Sequence, residues 1–163
     1  MARIRTFALR RLDRLRRRQN RVRSEMSVLR STYHFRYDAS LRIAGVGAWH
    51  EEIERRTGLR ASIKHRRGEA RSSRTHKQWD EDLWLLASPL DESAPLEDHL
   101  EWLANAVEPH LYVFREIIDR ATWADVCLGC LSESGSPMLA VRPDALRILR
   151  QLNVGCAFNF TCV

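Results

Sequence analysis

The run Lys64-His65-Arg66-Arg67-Gly68-Glu69 concentrates residue types suited to holding an anion. An arginine guanidinium presents its N–H donors as a planar fork that matches a carboxylate or a phosphate. A glycine just after two arginines can turn the chain and aim both forks at one ligand. Trp79 and Trp84 follow soon after, and tryptophan is enriched at binding hot spots. The expectation is a ligand- or partner-binding site built from His65, Arg66, Arg67, Gly68, Glu69, Trp79 and Trp84. Its occupant would be a protein or a small anion. The competing reading is a solvated basic loop with Trp84 in the core.

Other constellations carry less chemistry. Cys127 and Cys130 have the spacing of half a zinc site or a redox pair. They sit in a strand-like run, however, where residues three apart point to opposite faces. Cys156 and Cys162 share a face with Phe158 and Phe160, which reads as core. The six histidines, His34, His50, His65, His76, His99 and His110, form no tight ligand spacing. His50-Glu51-Glu52 and Asp98-His99 read as solvated helix faces. Gly45-x-Gly47 lacks the rest of a dinucleotide fingerprint, and Ser134-Gly135-Ser136-Pro137 is turn chemistry rather than a nucleophile elbow. No catalytic residue, metal or cofactor is expected from these patterns. An enzyme is the least supported class, although distant residues can converge in a fold.

Charge is spread unevenly. Residues 1–31 carry eleven arginines against two acids, a net of +9. That leaves −3 of the chain's +6 for residues 32–163. The pI near 9.7 therefore describes an extension and not the domain that follows. Arg10, Arg11, Arg14, Arg16, Arg17, Arg18 and Arg21 form a candidate nucleic-acid arm, whose binding would weaken steeply with salt. Two further readings stand beside it. One is a solvated extension. The other is a translation start at Met26, which changes the net charge from +6 to −2. Within the domain, no lysine or arginine falls between Lys77 and Arg115, so a basic loop precedes an acidic stretch. No apolar run approaches the roughly 18–20 residues that span a bilayer, and no apolar signal core follows the basic start. A cytoplasmic protein with reduced thiols and no membrane partner is expected.

These residues need elements to position them. Tyr33, Phe35, Tyr37, Ala39, Leu41 and Ile43 alternate with polar residues, the period of a half-buried strand ending at Gly45 and Gly47. Residues 48–57 read as a short helix with Trp49 and Ile53 on one face and Gly58 as its cap. Ser62-Ile63-Lys64 opens a short strand, Gly68 marks a turn, and 83–87 is an apolar strand. Ser93 and Pro95 start a long helix with Leu96, Leu100, Leu103 and Val107 on one stripe. Pro109 predicts a break near Glu108, followed by a helical piece with Leu111, Phe114, Ile118 and Ala121 inward. A strand over 123–131 and a turn over 132–137 come next. A helix over 144–153 has Leu146, Leu149 and Leu152 inward, and a closing strand covers 154–162. The order is β-α-β-β-α-β-α-β. It predicts one α+β domain over 32–163 with an antiparallel-rich sheet and helices packed on one face.

Taken in order, the segments resemble a bacterial family catalogued as domain-of-unknown-function 4279. The matching pieces are Tyr33–Gly45 as opening strand, Ile53–Leu59 as short helix and Lys64–Glu69 as basic glycine loop. Leu83-Trp84-Leu85-Leu86-Ala87-Ser88 is similar to its tryptophan strand. Leu96–Pro109 is similar to its acidic helix, and Pro143–Phe160 to its closing helix and strand. The arginine-rich start lies outside the family pattern. Asn159–Val163 lacks the acidic or tyrosine ending associated with it. The resemblance implies no established activity, cofactor or catalytic residue. The functional expectation is a small cytosolic binding module, in one version an immunity protein against a toxin. A nucleic-acid-associated protein acting through the arm is the alternative.

Overall fold

A computed structural model describes residues 35–72, 75–133 and 139–162. The opening alternation becomes β1, Phe35–Ala44. Its side chains Ala39, Leu41 and Ile43 are fully buried. β1 is the central strand of a five-stranded sheet with the order β2-β5-β1-β6-β7. Here β2 is Ile63–His65, β5 is Leu83–Ala87, β6 is Trp123–Ser132 and β7 is Gly155–Cys162. β1 runs antiparallel to β5, with Leu41 opposite Leu86 and Ile43 opposite Trp84. β5 in turn runs antiparallel to β2. On the other side, Arg42 bonds Asp125 and Asp38 lies against Gly129. Numbers rise on β1 as they fall on β6, so this pair is also antiparallel. β6 and β7 are parallel, a pairing that requires a crossover connection.

Four α-helices are present among the described residues: α1 His50–Thr57, α2 Leu96–Val107, α3 Leu111–Ile118 and α4 Arg147–Leu152. Side chains from one face of the sheet (Leu41, Ile43, Trp84, Leu86, Val126, Leu128) form a single core with Ile53, Leu100, Leu103, Phe114, Ile117 and Ile148 from these helices. The α+β architecture with helices on one face follows from that parity. Gly58 caps α1 in the left-handed conformation, donating its N–H to the Glu54 carbonyl at 2.8 Å. A 3-10 turn at Glu108–His110, containing Pro109, separates α2 from α3. None of the four helices is long and apolar enough to cross a membrane.

The structure corrects several details. In α3 the buried pair is Phe114 and Ile117, with Ile118 only half-buried. α4 is shorter than expected and buries Ile148 and Leu152, while Leu146 and Leu149 are half-buried. Ile148 and Leu152 lie four residues apart, about one helical turn, and so share the inward face, which the three-residue spacing of Leu146, Leu149 and Leu152 does not describe. Residues after the Gly68 turn, to which the sequence pattern assigns no element, form a hairpin, β3 Ala70–Ser72 with β4 Thr75–Gln78, as a separate two-stranded sheet. Phe158 and Phe160, expected in the core, are 55% and 49% exposed. They lie on the helix-covered side in register with buried Leu128 and Cys130, on the strand that ends the sheet among the described residues.

Leu100 and Phe158 therefore separate core from edge. Leu100→Ala is expected to cost about 2–5 kcal/mol in urea denaturation. Phe158→Ala is expected to cost less than half as much, because most of its ring already meets water. Equal losses would contradict this division.

Candidate functional site

The basic run forms a tight turn at the end of β2. Glu69 donates its N–H to the Arg66 carbonyl at 3.1 Å, closing a four-residue turn. Gly68 occupies its third position with φ +84°, the geometry that favours glycine there. The Glu69 carboxylate reaches back to accept the Arg66 N–H at 3.0 Å. The Arg67 N–H donates to Asp82 Oδ1 at 2.7 Å. Gly68 donates to the Trp79 carbonyl at 2.8 Å, and Trp79 donates to the Glu69 carbonyl at 2.9 Å. Five hydrogen bonds thus fix a turn whose residues Arg66, Arg67, Gly68 and Glu69 are all exposed.

The cations around it are not equally available. Lys64 pairs with Glu54 at 2.9 Å, Arg66 with Glu51 at 2.7 Å and Arg71 with Asp80 at 3.0 Å. The Arg67 guanidinium has no hydrogen bond or ion pair among the described residues. It stands at the tip of the turn, with its backbone clamped and its fork free.

Trp79 serves a different purpose from an open stacking platform. Its ring lies parallel to the His65 imidazole, centroids 3.8 Å apart, and carries the Arg71 guanidinium 4.8 Å from its centroid. Arg71 also donates to the Gln78 carbonyl. These contacts join β2, the turn and the β3–β4 hairpin. Trp84 is placed elsewhere: it is fully buried and packs against Phe114 at 5.9 Å, so no ligand can reach it.

Two residues outside the predicted set do much of the positioning. The Asp82 carboxylate lies directly over Gly47, where an added Cβ would come within 2.6 Å of its Cγ. The Asp82 carbonyl accepts the Gly45 N–H at 3.2 Å. Asp82 and Glu51 tie the turn to the loop after β1 and to α1. In the sequence Asp82 is one acid of Asp80-Glu81-Asp82, and nothing local marks it as the one that reaches Arg67.

The expectation of solvated histidines in α1 and α2 fails. His50 and His99 are each 1% exposed. His50 shares the buried stripe of Ile53 and Thr57, and His99 that of Leu96, Leu100 and Leu103. Burial pushes both imidazoles below their usual range; around His50 the charges of Glu51 and Asp82 oppose the shift, while those of Arg66 and Lys64 add to it. Around His99 the opposing groups include Asp38, Asp91 and Asp98.

All four cysteines are free thiols. Cys127 and Cys130 are buried on opposite sides of the sheet, and Cys156 is half-buried. Burial raises all three thiols above the ordinary value. Cys162, expected in the core, is exposed at the end of β7. Arg10, Arg11, Arg14, Arg16, Arg17, Arg18 and Arg21 lie outside the described residues, as does the turn sequence 134–137.

Fold and site together define an α+β domain with a clamped basic turn beside one edge of its sheet. Residues 32–162 match the family described as domain of unknown function (DUF4279), and the chain belongs to that family. No curated protein and no solved structure matches it.

Gly68→Ala places a side chain in open space, so its cost is backbone strain alone. About 1–2 kcal/mol is expected in urea denaturation, and no loss would contradict the left-handed turn. The buried histidines give a pH dependence. The unfolded chain takes up their protons near pH 6.5, while the native chain resists them. The histidine contribution to stability should be level above that pH and fall as pH drops below it. His50→Leu and His99→Leu should flatten the profile; an unchanged profile in the double variant would contradict the assignment.

Proposed function

We propose that this protein is a small interaction module whose Arg66–Glu69 turn takes an acidic segment of a protein partner. The observation that carries the reading is Arg67: a guanidinium with no hydrogen bond or ion pair among the described residues, on a backbone held by hydrogen bonds on both sides. A donor fixed before binding loses little freedom on binding, which favours affinity. The surface from Arg66 to Ser72 is exposed throughout. Small-molecule sites are concave, so this surface suits a partner protein better than an enclosed anion. Glu51, Glu69 and Asp82 lie close by, leaving the local charge near balance. That pattern suits a single carboxylate more than a polyphosphate chain. A toxin neutralised by such contact is one partner of this kind. The four unpaired cysteines accord with a reducing compartment such as a bacterial cytoplasm.

The test uses a glutamate-rich peptide as probe and fluorescence anisotropy as readout. Arg67→Glu should weaken binding at least about tenfold, as loss of an arginine hot spot does. Its urea midpoint should not move, since the side chain has no hydrogen bond or ion pair among the described residues to lose. Attraction to the arginines of residues 1–31 is insensitive to this substitution. Unchanged affinity in Arg67→Glu would therefore contradict the reading.

A further inference from the structure

The edge of the sheet farthest from the basic turn is built for a different contact. β7 closes the sheet on that side with eight residues, whereas β2 at the other edge has three. An edge strand presents unpaired backbone donors and acceptors, and proteins protect such edges with charge, proline, bulges or brevity. Gly155–Cys162 has none of these: it contains no charged residue and no proline, and its pairing with β6 is unbroken from Gly155 to Cys162. Phe158 and Phe160 are half exposed, with rings parallel within 2° and centroids 6.1 Å apart. They continue the apolar face of Leu128 and Cys130 onto the last strand.

We propose that β7 pairs antiparallel with β7 of a second copy of this chain, joining the two sheets into one. The uncharged strand offers no complement to an acidic or basic peptide. It does complement itself. With Asn159 opposite Asn159 of the second copy, Phe158 faces the second copy's Phe160 and Ala157 faces its Thr161. The four phenylalanines then form one cluster on one face, and the two amides meet on the other. Such a contact is isologous and closed, and stops at two copies. Aromatic pairs directly opposite each other are among the favourable cross-strand pairs. The turn that follows β2 stays free at the outer end of each sheet, so the dimer would present two copies of it to a partner.

Sedimentation velocity on the full-length chain, treated with nuclease and followed through the micromolar range, tests the pairing. The wild type should sediment at twice its 19.0 kDa mass. Phe160→Lys should give monomers, because it sets a charge into the aromatic cluster. Asn159→Asp should do the same, because it sets two like charges opposite each other at the axis. Both positions are exposed, so circular dichroism and the urea midpoint of the dissociated monomer should show a folded protein. A monomeric wild type, or a dimer that survives either substitution, overturns the proposal.

Discussion

The position of the basic turn depends on the Asp82 carboxylate. It accepts the Arg67 N–H at 2.7 Å, and its own carbonyl accepts the N–H of Gly45 at the end of the central strand. A hydrogen bond to an ionised acceptor is stronger than one between neutral groups. Gly47 is required beneath it, because any side chain there would strike the carboxylate. Three segments far apart in sequence are thereby held together: the end of β1, the turn after β2 and the start of β5. Without that tie, Arg67 would be one more solvated arginine. With it, the guanidinium extends from a fixed point.

The sheet behind the turn is uneven by design of its sequence. Side chains from β1, β5 and β6 bury one face under the helices. On the opposite face Arg42 and Asp125 form a bidentate pair, both bonds 2.7 Å, with the guanidinium also over Trp123 at 5.4 Å. The Asp125 hydrogen bonds raise the Arg42 pKa against the cost of partial burial. This pair fixes β1 against β6, and Gly129 leaves room for the Asp38 carboxylate farther along the same two strands. Stability is thus concentrated in the middle of the sheet. Its margins are left to a clamped polar turn on one side and an uncharged strand on the other.

Much of the fold was legible because it is periodic. The alternation through β1, the stripe Leu96–Leu100–Leu103–Val107 and the proline at 109 each specify local structure without knowledge of neighbours. The turn was legible for the same reason, since Gly68 must adopt the conformation the turn needs. What the sequence does not show is which partner each charge finds. Arg66 lies 15 residues from Glu51, and Arg67 lies 15 from Asp82; several other acids are equally near in sequence. Trp79 and Trp84 look alike in the chain, yet one stacks on His65 and the other is core. The same limit explains Phe158 and Phe160. Their alternation marks a face, but only strand order reveals that the face ends with them. His50 and His99 were masked by flanking acids, although each falls on the apolar stripe of its helix.

The most direct test of the account is where an acidic segment lands. Nitrogen-15 correlation spectra of the full-length protein, titrated with a glutamate-rich peptide, report every backbone amide at once. The amides of Arg66, Arg67, Gly68 and Glu69 should shift together and saturate, while those of Phe158 to Phe160 stay in place. A titration that perturbs other residues and leaves the turn unmoved would contradict a binding role for Arg67.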